Sequence, residues 1–236
     1  MANVLPPLTE FKRVALNLLL PQWCIACGKE GDYICPSCRR SLPSIIPPIC
    51  LKCGRPLPLG KSCRGCIGED SEIDGIRAPF LFQGVIRQAI HELKYRNLRD
   101  ISRILAGFLY DYLLENPIPA EVLVPVPVHK KRERERGYNQ SSLLARELGR
   151  YTGIPVIEKS LVRDIYVSTQ ARSASEEDRY KNVAGVFACR DTRLRGKRVM
   201  LIDGVSTSGA TLSACAGVVK KAGAAAVWGL TVALEL

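Results

Sequence analysis

The sequence predicts an α/β protein: a parallel β-sheet flanked by helices, with a small cysteine-rich unit in front of it. Three observations carry this. Short apolar runs rich in β-branched residues, Val122–Val128, Val199–Ile202 and Ala226–Ala233, alternate with stretches at helical spacing, as buried parallel strands and their crossover helices do. One run, Val199-Met200-Leu201-Ile202, passes straight into Asp203 and then Gly204-Val205-Ser206-Thr207-Ser208-Gly209-Ala210-Thr211. An acid there marks the C-terminal edge of the sheet, where α/β proteins bind ligands. Eight of the ten cysteines fall between residues 24 and 66 as four Cys-x2-Cys pairs.

At 236 residues the chain is long enough to bury a core in one or two domains. Its 34 basic and 23 acidic residues give a net charge of +11, concentrated in the N-terminal part and the middle. That excess suits a polyanion such as nucleic acid or a highly charged phosphate ester. Lys12 and Arg13 precede only a short apolar run interrupted by Asn17, with no small-residue cleavage site, so no secretory signal is expected. No run approaches membrane-spanning length. The expectation is a cytoplasmic protein without a membrane span.

Taken in order, Leu8, Phe11, Ala15 and Leu18 fall at helical spacing and predict an amphipathic helix over 8–20, stopped by Pro21. Next come Cys24-x2-Cys27, Cys35-x2-Cys38, Cys50-x2-Cys53 and Cys63-x2-Cys66. A two-residue gap lets both sulfurs of a knuckle face one tetrahedral ion, so two knuckles close a four-cysteine site and four pairs hold two structural Zn²⁺ ions. Glycine directly after Cys27 and Cys53 suits knuckle turns, and the similar intervals suggest a repeated ribbon. Sequential pairing is the favoured arrangement. A disulfide framework competes, but a reducing compartment does not sustain one. The polar, acidic stretch Gly68–Glu72 reads as a linker. It divides the chain into 1–70, helix and double zinc ribbon, and 71–236, the α/β domain.

Ala78 to Phe82 reads as a strand. Val85, Ile86, Ala89, Ile90 and Leu93 form one face of a helix ending in Lys94-Tyr95-Arg96, and a second helix runs from Arg99 to Leu114. His91 lies off the apolar stripe and reads as solvated. Strand Val122–Val128 must end near Pro125 and Pro127. A basic loop follows: Lys130, Lys131, Arg132, Arg134 and Arg136 interleaved with Glu133 and Glu135, then Gly137-Tyr138-Asn139-Gln140 opening a helix over Ser141–Tyr151. Leaving the C-terminal end of a strand, this loop is placed at the site, where Lys130 to Arg136 with Asn139 and Gln140 would meet pyrophosphate or nucleic acid. Residues 163–182 lack hydrophobic periodicity and read as a mobile loop. Gly185 to Ala188 reads as a short edge strand before the basic turn Arg190–Arg198, and Cys215 reads as core.

The stretch after Asp203 carries the chemistry. Small side chains let backbone N–H groups turn inward and a helix N-terminus adds its dipole, so Ser206, Thr207, Ser208, Gly209, Ala210 and Thr211 would cradle a phosphate. Gly204-x4-Gly209-Ala210-Thr211 mimics the nucleoside-triphosphate loop, but Ala210 stands where the lysine belongs, which excludes an NTPase of that kind. An acid just before the cradle instead suits a ribose 5-phosphate. The string resembles the phosphoribosyl-pyrophosphate (PRPP) signature of type I phosphoribosyltransferases: four apolar residues, two acids, an apolar residue and T-T/S-G-x-T. Gly204 replaces the second acid.

Val124-Pro125-Val126-Pro127, the basic loop, Arg136-Gly137-Tyr138-Asn139-Gln140, the four knuckles and the PRPP-type loop together resemble the ComF family, phosphoribosyltransferase-like proteins associated with competence for DNA uptake. Leu93-Lys94-Tyr95-Arg96, Thr169-Gln170, Arg179 and Asn182-Val183 are further marks; Ala171 and Arg172 depart from the apolar residues usual there. The resemblance implies a type I phosphoribosyltransferase-like sheet with Asp203 as the catalytic acid on the ribose hydroxyls. It implies PRPP on Ser206–Thr211, Mg²⁺ bridging hydroxyl and pyrophosphate oxygens, and Lys94, with Lys130 or Arg136, neutralising the pyrophosphate. It also implies partners among single-stranded DNA and the proteins of DNA uptake or recombination. Two other readings stand beside it: a non-catalytic single-strand-binding adaptor that keeps the fold, and a zinc-ribbon scaffold that binds proteins only.

Overall fold

The structure is a computed structural model that describes residues 22–57, 63, 71–163 and 186–236. The predicted helix over 8–20, Cys66, most of the linker and the stretch holding Thr169, Gln170, Arg179 and Asn182 lie outside the described residues. Two compact units are present, Met1–Leu42 and Pro43–Leu236.

In the first unit Cys24 N donates to Lys29 O and Gly28 N to Cys24 O, both at 2.8 Å, closing a tight knuckle. Cys35 precedes a single helical turn, α1 (Pro36–Arg39), started by Pro36.

The second unit is the α/β body: β1 (Gly75–Arg77), β2 (Phe80–Leu81), α2 (Gly84–Tyr95), α3 (Ile101–Glu115), β3 (Val122–Pro125), α4 (Lys130–Arg136), α5 (Gln140–Thr152), β4 (Leu161–Arg163), β5 (Phe187–Cys189), β6 (Arg198–Ser206), α6 (Ala210–Lys221) and β7 (Ala226–Leu234). Every pairing in the main sheet is parallel. The order is β1–β7–β6–β3, with β2 pairing further along the same flank of β7 and residue 156 bridging the outer flank of β3. The apolar runs are thus β3, β6 and β7. Alternation sends Val122, Val124, Val199, Leu201 and Val227 into one core with Leu212, Cys215, Ala216 and Val219 of α6. Leu123 faces the other way, toward α5 at Gly149. Both faces are covered, as a parallel sheet requires. Among the described residues no helix is long and apolar enough to cross a membrane.

Four details differ from the sequence reading. The strand expected over 78–82 shrinks to β2, Phe80–Leu81, and a separate strand, β1, precedes it at Gly75–Arg77; between them lies Ala78-Pro79, where proline has no N–H to give the ladder. β6 continues past Asp203 to Ser206, because Val205 and Ser206 still pair with Ala233 and Leu234. The basic loop is a helix, α4: His129 Nδ1 accepts from Lys131 N at 3.1 Å, and Gly137, at φ 76°, ends it with its N–H on Glu133 O. Lys, Arg and Glu are good helix formers, but a run of charges has no apolar period to reveal it. The segment around 187 is also not an edge of the main sheet; β5 pairs antiparallel with β4 in a separate ribbon.

Candidate functional site

The site lies where β3 and β6 end. Asn139 caps α5 by accepting from Ser141 N at 2.9 Å, and its Nδ2 donates to Val126 O at 3.1 Å, tying the helix start to the end of β3. This aims Ser141 Oγ at Asp203, where it donates to Oδ1 at 2.8 Å; Gly204 N donates to the same oxygen at 2.7 Å. Oδ2 has no hydrogen-bond partner among the described residues. Burial raises the Asp203 carboxyl above the usual range, against the pull of Lys94, the Ser141 and Gly204 hydrogen bonds and Arg136. Lys94 lies alongside: its Cε is 3.9 Å from where a Cβ on Gly204 would stand.

From Ser206 the chain turns through Thr207, Ser208 and Gly209 into α6. Gly209 takes φ 78°, a left-handed conformation that a side chain would strain. Ser208 Oγ accepts from Ala210 N at 3.4 Å. The N–H groups of Thr207, Ser208 and Gly209 have no acceptor among the described residues, so three consecutive donors stand at the N-terminus of a twelve-residue helix. Thr207 O accepts from Arg55 Nη2 at 3.1 Å.

A wall of cations and aromatics flanks Asp203. The Arg136 guanidinium lies 5.1 Å from the Tyr95 ring and donates to Gln140 Oε1 at 2.9 Å. Arg99 lies 4.6 Å from the ring of Tyr138, whose hydroxyl donates to Leu93 O. On α4, Lys130, Lys131 and Arg134 are exposed. Arg132 lies near His129 and Arg163; burial first, and then these cations, push the His129 imidazole below its usual pKa.

Of the expected site residues, the structure gathers Asp203, Lys94, Arg136 and the 206–211 turn. Lys130, Lys131 and Arg134 face solvent. Asn139 and Gln140 are buried, with partners inside the protein. Sequence reasoning missed Ser141 and Arg55, whose contacts with Asp203 and Thr207 reach across 62 and 152 positions.

The cysteines form two clusters. The sulfurs of Cys24, Cys27, Cys35 and Cys38 lie within 4.8 Å of one another, as do those of Cys50, Cys53 and Cys63. A tetrahedral site with Zn–S near ~2.3 Å has edges of about 3.8 Å. Cys27–Cys35 at 3.6 Å and Cys53–Cys63 at 3.5 Å fit that figure, with the knuckles paired in sequence order.

A parallel α/β body whose β6 turns through small residues into a helix, in a chain that also holds two cysteine clusters, defines a phosphoribosyltransferase-like protein that carries structural zinc. Residues 15–67 match the double zinc ribbon domain. The chain is 30% identical over 226 residues to competence protein F of Haemophilus influenzae, covering 88% of this chain and 95% of that one. It is 29% identical over 205 residues to competence protein ComFC of Bacillus subtilis (84% and 82%), and 26% identical over 213 residues to DNA utilization protein YhgH of Escherichia coli K12 (86% and 90%). The chain belongs to the ComF family of competence proteins. Solved structures similar to it include the glutamine PRPP amidotransferase of B. subtilis complexed with ADP and GMP, 21% identical with a TM-score of 0.41 over 59% of this chain and 30% of that one. A purine phosphoribosyltransferase from Pyrococcus horikoshii Ot3 is 18% identical with a TM-score of 0.31 over 58% and 86%.

Proposed function

We propose that this protein binds PRPP, or a related phosphoribosyl ligand, at Asp203 and the Ser206–Thr211 turn, and that it serves the handling of incoming single-stranded DNA in the cytoplasm. The observation that carries the ligand reading is the pairing, on one strand–turn–helix, of a carboxylate and three amides whose Oδ2 and N–H groups have no partner among the described residues. Ser141 and Gly204 N hold Oδ1, which orients Oδ2 toward ribose hydroxyls. The amides of Thr207 to Gly209 and the α6 terminus take the 5-phosphate. Lys94 and Arg136, both close enough to act on Asp203, balance pyrophosphate charge. Mg²⁺, when bound with the ligand, would shield charge between hydroxyl and pyrophosphate oxygens. The names of the competence and DNA utilization relatives support the cellular role.

Calorimetry of the purified protein with PRPP and Mg²⁺ tests the ligand, and an assay for released pyrophosphate tests turnover. Absence of binding at millimolar PRPP overturns the reading. One observation favours a second reading, a non-catalytic adaptor that grips single strands: Lys130, Lys131 and Arg134 are presented to solvent on α4, whose Arg136 lies over the 58%-exposed Tyr95. Exposed cations interleaved with an aromatic face suit phosphate contacts and base stacking.

A further inference from the structure

The third cysteine knuckle is built against the sheet that carries the cradle. Its turn closes with Gly54 N on Cys50 O at 2.9 Å and Cys50 N on Arg55 O at 2.8 Å. Ile76 N of β1 donates to Lys52 O at 2.8 Å, and Arg77 Nη1 donates to Leu51 O at 2.9 Å. A Cβ on Gly54 would stand 2.5 Å from Ile76 O, so knuckle and strand are in direct backbone contact. Two residues after Cys53, Arg55 reaches the cradle and donates to Thr207 O at 3.1 Å.

The peptide joining Thr207 to Ser208 is planar and trans, so its C=O and N–H point in opposite directions. A guanidinium on the Thr207 carbonyl therefore keeps the Ser208 N–H turned away from Arg55. That N–H is one of the three without an acceptor. Were this peptide to flip, a carbonyl would face the anion in place of a donor. We propose that Arg55 is a positioning residue of the cradle: it presets the Ser208 amide for a phosphate, and the second cysteine cluster fixes Arg55 in turn. The proposal rests on reading the cradle as the site of a phosphoribosyl 5-phosphate.

The test uses the full, zinc-loaded chain as parent, Arg55→Ala and Arg55→Lys. Backbone 15N relaxation dispersion is read at residues 207–210 and at Val199–Ile202, alongside calorimetry with PRPP and Mg²⁺ and zinc analysis. Arg55→Ala is expected to raise the microsecond-to-millisecond motion of the peptide at Ser208 and its neighbours about fivefold, leave Val199–Ile202 and the zinc content unchanged, and weaken PRPP about five- to tenfold. Lysine, which keeps a donor, should recover part of both effects. Unchanged dispersion in the turn overturns the proposal, even with weakened binding, because Arg55 would then act by its charge alone. A rise spread equally over Val199–Ile202 also overturns it, by making Arg55 a residue of general stability. If the parent fails to bind PRPP, the ligand reading falls, while dispersion still decides whether Arg55 controls the peptide.

Discussion

Gly204 stands where the phosphoribosyltransferase signature that this stretch resembles carries a second acid, and introducing that acid is the most informative single test of the proposed ligand. Gly204 lies within β6, and its φ falls outside the left-handed range, so a side chain meets no backbone strain. Space is available too: a Cβ would find Lys94 Cε at 3.9 Å and Ile90 Cγ2 at 4.0 Å, ordinary contact distances. A carboxylate accepting from a ribose hydroxyl in a partly dry site contributes ~1.5–3 kcal/mol. The new acid would also pair with half-exposed Lys94, drawing the ammonium from its role at a cost of up to ~1 kcal/mol. The net for Gly204→Asp is about 1–2 kcal/mol, or roughly five- to thirtyfold tighter PRPP binding. Gly204→Ala isolates the Cβ, and loss of glycine from a strand should by itself stabilise the fold by ~0.4–1 kcal/mol through the unfolded chain. Calorimetry with PRPP and Mg²⁺ on the three proteins, with thermal melts as controls, separates the terms. If aspartate binds no more tightly than alanine, no ribose hydroxyl stands near position 204, and the assignment of ribose to this edge of the sheet is wrong.

Purified protein should carry two zinc ions, and a chelator should remove them in two phases, the Cys50–Cys63 site being slower because its knuckle is pinned to β1; a single phase, followed with a chromophoric chelator, counts against this. Replacing exposed Lys130, Lys131 and Arg134 by alanine should flatten the salt dependence of single-stranded DNA binding by about two units of log–log slope, at ~0.7 per phosphate contact, and an unchanged slope removes α4 from any DNA site. Asp203→Asn should abolish PRPP binding yet stabilise the fold. Because burial raises the Asp203 pKa in the folded state above the unfolded value of 3.8, the folded state holds its proton longer, and stability is lost as pH rises through that raised pKa. The variant should therefore melt higher than the parent at neutral pH, with the difference vanishing below pH 3.8. Equal melting temperatures across the range would mean that the carboxylate carries no burial penalty.

Strands β3, β6 and β7 were legible because burial on both faces leaves near-continuous apolar runs, and Asp203 stood out as the first charge after one. The cysteine pairs were legible because a knuckle is a local object whose spacing is its geometry. The α4 helix was not, since periodicity reports only helices with an apolar side. Ser141 and Arg55 were hidden for a different reason: a serine after an N-cap and an arginine after a knuckle are common, and only tertiary contact sets them apart. β4 was missed because three residues in an isolated ribbon carry too little pattern to register.

The Val-Pro-Val-Pro segment bears on how the outer flank of β3 is protected. Val126 N points to β6, bonding Ile202 O, whereas Leu123 N points outward to Pro155 O. Pro125 and Pro127 share the parity of Leu123, so the missing donors fall on the outer flank and take nothing from the pairing with β6. Among the described residues Ile157 N on Leu123 O is the last outward bond, and no described segment pairs with this flank beyond it. A strand edge left unpaired next to the proposed phosphate site would ordinarily invite another chain to add a strand. Two imide nitrogens withhold the protons such an intruder would need, so this border stays accessible to a small ligand while refusing a β-strand.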